Sequence, residues 1–232
     1  MPYLFPPCDP VSLAIAGGAL RLPVHRVFCV GRNYPEHARE MGADPDDQPL
    51  CFFSKPPEAV VPGDAPLHYP PATADLHHEV EMVVALGDAI RGGAGNIPAR
   101  EALEAVYGYA AGVDLTRRDL QAEAKRRSWP WDTAKAFAAS APCSALLPAA
   151  RIGHPARARI WLAVNGETRQ DGDIAHMACG VAALIERLSA LFTLHPGDLI
   201  FTGTPAGVGP LRRGDRVSGG VEGIATLDFE VI

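Results

Sequence analysis

Hydrophobic and polar positions alternate most clearly between Leu76 and Val84, where Val80, Met82 and Val84 interleave with Glu79, Glu81 and Val83. Side chains two residues apart leave the same side of a strand. The pattern therefore predicts a strand with one apolar face and with Glu79 and Glu81 pointing together. Shorter apolar runs predict strands over Val24 to Val30, Cys51 to Lys55, Ile160 to Asn165 with a hairpin turn at Gly166-Glu167, and Leu199 to Thr202. Helical signals are fewer. Pro35 and Gly42 bracket a short helix carrying His37 and Glu40 on one face, and Asn96 and Pro98 open another that runs to about Val106. Asp173 caps a third in which Ile174, Met177, Val181, Leu184, Ile185, Leu188, Leu191 and Phe192 form a core-facing stripe. Residues 1–22, Pro-rich and then turning at Gly17-Gly18, read as an extension packed on a single domain of residues 23–232. No internal repeat interrupts that domain.

Composition narrows the class. The 232 residues include 23 glycines and 22 prolines, which implies many turns and short elements and favours a strand-rich fold over a helix bundle. A hydrophobic content of 47% and a charged content of 21% fit a folded soluble chain. The net charge of −6 argues against nucleic-acid or anionic-membrane partners. Five dispersed cysteines with no C-x-x-C spacing read as reduced thiols, and no run reaches the length of a membrane span. A cytoplasmic protein is the expectation.

The candidate chemistry starts from the two glutamates. Carboxylates held on one strand face repel each other unless a cation or a shared proton relieves them, and a hard divalent ion suits oxygen ligands. A solvated strand face is the plainer alternative. The apolar run Tyr107 to Val113 ends in Asp114, which reads equally as a third ligand or as a cap for the Leu115 to Lys125 stretch. His37 with Glu40 is either a carboxylate-oriented general base or a surface ion pair. Lys55 sits at a strand end, as a solvated group or an anion contact, and Lys135 lies in an apolar setting. The loop Gly203 to Pro210 lacks the Gly-Lys-Ser/Thr of a phosphate loop, although its backbone N–H groups can hold a carboxylate.

Four ordered stretches carry a family resemblance: Cys29-Val30-Gly31-Arg32-Asn33-Tyr34, the His-His-Glu-Val-Glu segment, Asp114 to Gln121, and Pro196-Gly197-Asp198 through Gly209-Pro210. From about Val24 to the C-terminus the chain resembles the fumarylacetoacetate hydrolase superfamily. Within it the chain resembles the acylpyruvate hydrolase branch and, most of all, fumarylpyruvate hydrolases of gentisate breakdown. The resemblance implies an α+β fold, a mixed β-sheet rolled on itself with peripheral helices and a short lid helix, paired as a homodimer. It implies Glu79, Glu81 and Asp114 as ligands for Mg²⁺ or Mn²⁺, His37 and Glu40 as a catalytic dyad on the lid, and Lys135 as the lysine beside the metal. Arg32, Tyr34, Lys55, Arg118, Gln121 and Thr204 fall at positions near substrate. The implied activity is hydrolysis of the C–C bond of an acylpyruvate, a small diketo acid, to pyruvate and a carboxylic acid. The alternatives are oxaloacetate decarboxylation or another lyase or isomerase reaction at the same site, and a silent dimer that binds dicarboxylates. Leu115, where methionine is frequent, and Ser128-Trp129, in place of smaller residues, are departures that bear on pocket shape.

Overall fold

The strand expected around Glu79 and Glu81 forms as two pieces, Leu76–His78 and Val80–Leu86, with Glu79 at the break. The computed structural model describes residues 3–42, 44 and 50–232, so Met1 and Pro2 of the expected extension lie outside the described residues. Among these, the largest sheet has eight strands. Along its main path Cys51–Lys55 is followed by Arg26–Gly31, Asp198–Phe201, Val80–Leu86, Val106–Val113, Ala141–Cys143 and Val60–Pro62. Leu147–Pro148 also pairs with Val106–Val113. Parallel and antiparallel pairings both occur, so the sheet is mixed. A four-stranded antiparallel sheet, built from Arg159–Val164, Glu167–Asp173, Arg216–Val221 and Ala225–Glu230, packs against its central strands. Helices lie at the periphery, and the result is the strand-rich α+β roll that was expected.

Both faces of the central strand are buried, not one. Val80, Met82, Val84 and Leu86 enter the main core with Leu162, Val217 and Leu227. Val83 and Ala85 point the other way, into a second core shared with Cys29, Phe201 and Cys143. Leu13 and Leu22, from a hairpin of Ser12–Ala14 with Arg21–Pro23, close that second core. Glu79 and Glu81 belong to this odd-numbered face, at the end where apolar packing gives way to a cavity.

Two helical segments differ from the sequence pattern. The segment from Ala99 is one α-turn, Ala99–Ala102, continued as a 3₁₀ turn Leu103–Ala105, and the strand already starts at Val106. Asn96 does not cap it; its φ of 51° puts it in a turn, and Pro98 precedes the helix. The long stripe after Asp173 is also broken. Asp173 caps only a 3₁₀ turn, Ile174–His176, and the α-helix runs from Val181 to Leu191 after extended backbone at Gly180. Asn33 intervenes there: its side chain accepts from the Cys179 N–H and donates to the Cys179 carbonyl, satisfying groups that a continuous helix would have paired internally. Ile174, Leu184, Ile185 and Leu188 are core residues as expected, but Leu191 and Phe192 are exposed.

The buried thiols give a test of this packing. Cys143 is 1% exposed, and burial pushes its thiol up to about 12. The unfolded chain loses that proton near the ordinary value of about 8.5, whereas the folded one keeps it. Stability is therefore fully present below pH about 8.5 and falls as pH rises toward 12, by up to about 1.4 kcal/mol per pH unit for this thiol. Urea midpoints at pH 8 and pH 10 are expected to fall less steeply for Cys143→Ala than for the wild type. Identical pH dependence in the two proteins contradicts the assignment.

Candidate active site and metal centre

Strand register brings the carboxylates together. Glu81 pairs with Gly112 across the sheet, and the N–H of Asp114 donates to the carbonyl of Glu79 at 2.8 Å. One oxygen from each of Glu79, Glu81 and Asp114 lies within 4.8 Å of the others. The three residues are 6%, 2% and 1% exposed, which removes the reading of a solvated strand face. Asp114 caps no helix, because the next helix, Arg118–Arg127, begins after Arg117.

Cations surround this triad unevenly. Lys135 Nζ lies 2.9 Å from Glu79 Oε2 and 2.6 Å from Asp114 Oδ2. Arg118 Nη2 reaches Glu79 Oε1 at 2.6 Å, and the Thr116 hydroxyl donates to the same oxygen at 3.1 Å. Burial alone would raise Glu79, but Lys135 and Arg118 outweigh it and hold the carboxyl well below its ordinary range. Burial likewise opposes the charge of Lys135, yet Asp114 and Glu79 leave its pKa raised, so it is a fixed cation. Glu81 is the exception. Burial and repulsion from Asp114 and Glu79 push its carboxyl well up, against which it has the Gly203 N–H at 2.7 Å. Gly203 is fit for this close approach: its φ is 99°, and a Cβ there would meet Asn33 Cβ at 2.9 Å.

These residues suit a hard divalent cation. All three donors are carboxylate oxygens, and Asp114 Oδ1 is buried with no hydrogen bond. Lys55 Nζ lies 2.8 Å from that oxygen as an ion pair, but its direction fails to make a hydrogen bond. Its ammonium donates to the Ser140 hydroxyl at 2.9 Å, to the Leu115 carbonyl at 3.3 Å and to the Lys135 carbonyl. An oxygen set of this kind, with a lone pair left over, matches Mg²⁺ or Mn²⁺ and not a thiolate-seeking metal.

The short helix Pro35–Glu40 covers the triad from outside. His37 Nδ1 lies 3.0 Å from Glu40 Oε2, and the Gly207 N–H donates to Glu40 Oε1 at 3.0 Å. A carboxylate only accepts, so Nδ1 is the donor of this pair. The same glutamate thus orients the histidine and fastens the helix to the 203–210 loop.

A cavity of about 190 Å³ joins His37 to the triad and Lys135. Arg32, Arg118, Gln121 and Thr204, expected near substrate, line it as well. Two expected substrate contacts do not. Lys55 is 2% exposed, is paired with Asp114 and is absent from the cavity wall. Tyr34 is 3% exposed, with its hydroxyl buried and unbonded and its pKa raised first by burial, and it is absent from the cavity wall. His77 and His78 stay out of the triad: His78 bonds Gln170, and His77 bonds Asp75 and Arg118. Sequence reading passed over Lys125, Trp131 and Phe53 in the wall. Lys125 had a signal, being four residues after Gln121 and seven after Arg118 on one helix face.

Comparison with known proteins agrees with this layout. The family model for the fumarylacetoacetate (FAA) hydrolase C-terminal region matches residues 26–232. A crystal structure of fumarylpyruvate hydrolase from Pseudomonas aeruginosa, in complex with Mn²⁺ and pyruvate, superposes with a TM-score of 0.96 at 48% identity, covering 100% of this chain and 99% of the other. The human mitochondrial oxaloacetate tautomerase FAHD1 is 40% identical over 205 residues, which is 88% of this chain and 90% of the relative. A 2-hydroxyhepta-2,4-diene-1,7-dioate isomerase from Mycobacterium marinum is 33% identical with a TM-score of 0.77, covering 91% of this chain and 76% of the other.

Proposed function

The chain belongs to the fumarylacetoacetate hydrolase family, and we propose that within it this protein is a divalent-metal-dependent acylpyruvate hydrolase whose substrate is fumarylpyruvate. The observation that carries this reading is the carboxylate-oriented His37 in the same cavity as the triad. Hydrolysis needs a base for water, and a keto–enol exchange alone does not.

Glu79, Glu81 and Asp114 would hold Mg²⁺ or Mn²⁺, which when bound supplies Lewis-acid polarisation of the diketo oxygens. His37 Nε2 takes a proton from water, while Glu40 stabilises the imidazolium that results. That water attacks the distal carbonyl carbon. The tetrahedral adduct collapses by breaking the C–C bond, and the electron pair stays with the methylene carbon of the pyruvyl half. That carbon then takes up a proton, giving pyruvate and, from a fumaryl group, fumarate. Lys135 is a fixed positive charge beside the triad and offsets the negative charge that develops. The lid helix, fastened at Gly207, excludes bulk water.

A second reading follows from the 40% identity to a protein named for oxaloacetate tautomerisation. Incubating the Mn²⁺-loaded protein with fumarylpyruvate, acetylpyruvate and oxaloacetate separates the two. Enol absorbance would be followed together with pyruvate release. Pyruvate formed from an acylpyruvate is the expected result. Keto–enol exchange of oxaloacetate, with no pyruvate from either acylpyruvate, overturns the hydrolase in favour of the tautomerase.

A further inference from the structure

The floor of the cavity is built to hold a cation and the 2-oxo acid end of a ligand, but its mouth carries charge that this task does not use. Arg32 and Lys125 both line the cavity, and among the described residues neither side chain has an ion-pair partner. Their neighbours contrast with them: Arg126 and Arg127, the next residues on the same helix, are both committed to Glu123. Arg32 is held in left-handed backbone at φ 67°, a conformation that non-glycine residues keep where the surrounding structure imposes it, often at ligand sites. Lys125 is solvent-exposed and is aimed by the ring of Trp131, 5.6 Å from its Nζ, which attracts the ammonium and leaves its hydrogen-bond donors free. Partial desolvation, followed by repulsion from Arg118 and Arg32, lowers the pKa of Lys125, and the attraction of Glu79 does not offset it. Phe53 and Trp131, packed edge to face with ring centroids 5.9 Å apart, make the adjoining wall apolar.

We propose that Arg32 and Lys125 form a receptor for a second carboxylate at the far end of the substrate, and that Lys125 is the specificity-determining residue for diacids over monoacids. The ligand class is then a 2-oxo acid carrying a terminal carboxylate on a short chain. This rests on the acylpyruvate reading for the end of the ligand that meets the triad, and adds the requirement for charge at the other end.

The test is a calorimetric titration of the Mn²⁺-loaded protein with two uncleavable acids of equal length, 2-oxoheptanedioate and 2-oxoheptanoate, which differ only in the terminal carboxylate. The wild type is expected to bind the diacid about 10- to 100-fold more tightly, as for a hydrogen-bonded charge pair. Lys125→Met is expected to remove most of that preference and to leave the affinity for 2-oxoheptanoate unchanged, and Lys125→Arg is expected to restore the preference. Equal affinity of the two acids for the wild type, an equal loss of both in Lys125→Met, or no binding of either acid overturns the proposal. The hydrolase reading fails separately: a protein that prefers the diacid but releases no pyruvate from acylpyruvates keeps the receptor and loses the reaction. One that hydrolyses fumarylpyruvate and acetylpyruvate alike, with no preference between the two probes, keeps the reaction and loses the receptor.

Discussion

Glu81→Ala is expected to abolish turnover and to weaken Mg²⁺ or Mn²⁺ binding by more than about 100-fold, beyond the 10- to 100-fold cost of losing an outer-shell partner. The reason lies in how charge is shared among the three carboxylates. Glu79 is already neutralised by Lys135 and Arg118, and Asp114 by Lys135 and Lys55. Glu81 has no such ion pair among the described residues; the Gly203 N–H serves it instead, and its carboxyl is pushed up by burial and by its two neighbours. A divalent ion relieves the repulsion on Glu81 more than that on the other two, so this residue gains most from the metal. Calorimetric titration measures the affinity directly. Because a bound ligand stabilises the folded state, the rise in melting temperature on adding metal is expected to disappear in the variant as well. Unchanged Mg²⁺ affinity in Glu81→Ala overturns the ligand assignment.

His37→Ala is expected to lower hydrolysis of fumarylpyruvate by about 10²- to 10⁴-fold, the range a positioned general base contributes. The effect on reactions of oxaloacetate that need no water is expected to stay within a few-fold. The selectivity follows from geometry: the imidazole lines the cavity from the lid side, whereas the triad and Lys135 form the floor. Glu40→Gln gives a graded comparison. Its amide oxygen can still accept from the Gly207 N–H, which keeps the lid fastened, but the imidazolium loses its countercharge. A smaller loss than in His37→Ala, confined to kcat, is expected from steady-state kinetics. An equal loss of hydrolysis and of the oxaloacetate reaction in His37→Ala would show that the histidine supports the site as a whole and does not serve water.

The physical separation between these two variants mirrors what was legible in the sequence. Period-two alternation in a short strand fixes which side chains share a face, so Glu79 with Glu81, and His78 opposite them, followed from spacing alone. Asp114 at the end of an apolar run was equally visible as a carboxylate needing a partner, though ligand and helix cap could not be told apart. The His37–Glu40 pair was legible because i and i+3 neighbours meet on any helix. Where the pattern misled, a distant residue had intervened. The stripe from Ile174 to Phe192 has helical spacing throughout, yet Asn33 captures the backbone at Cys179 and Gly180 starts a new helix. Local periodicity does not include hydrogen bonds offered from 146 residues away.

Lys55 and Tyr34 show the same division. Their neighbours in sequence belong to matching stretches, and so both were placed near substrate. Strand pairing instead turns Lys55 inward to Asp114, and Tyr34, just before the Pro35–Glu40 helix, is buried and absent from the cavity wall. By itself the sequence offered the candidates, three carboxylates, a histidine with a glutamate on its helix face and a lysine in an apolar setting, and family resemblance, not spacing, implied their roles. Only the tertiary structure decided that Glu79 and Glu81 are buried, that Lys135 and Arg118 settle on Glu79 and leave Glu81 without a cation among the described residues, and that Arg32 and Lys125 line one cavity with no ion-pair partner among those residues. Burial and charge pairing are sums over every segment packed around a group, and no stretch of sequence contains its own surroundings.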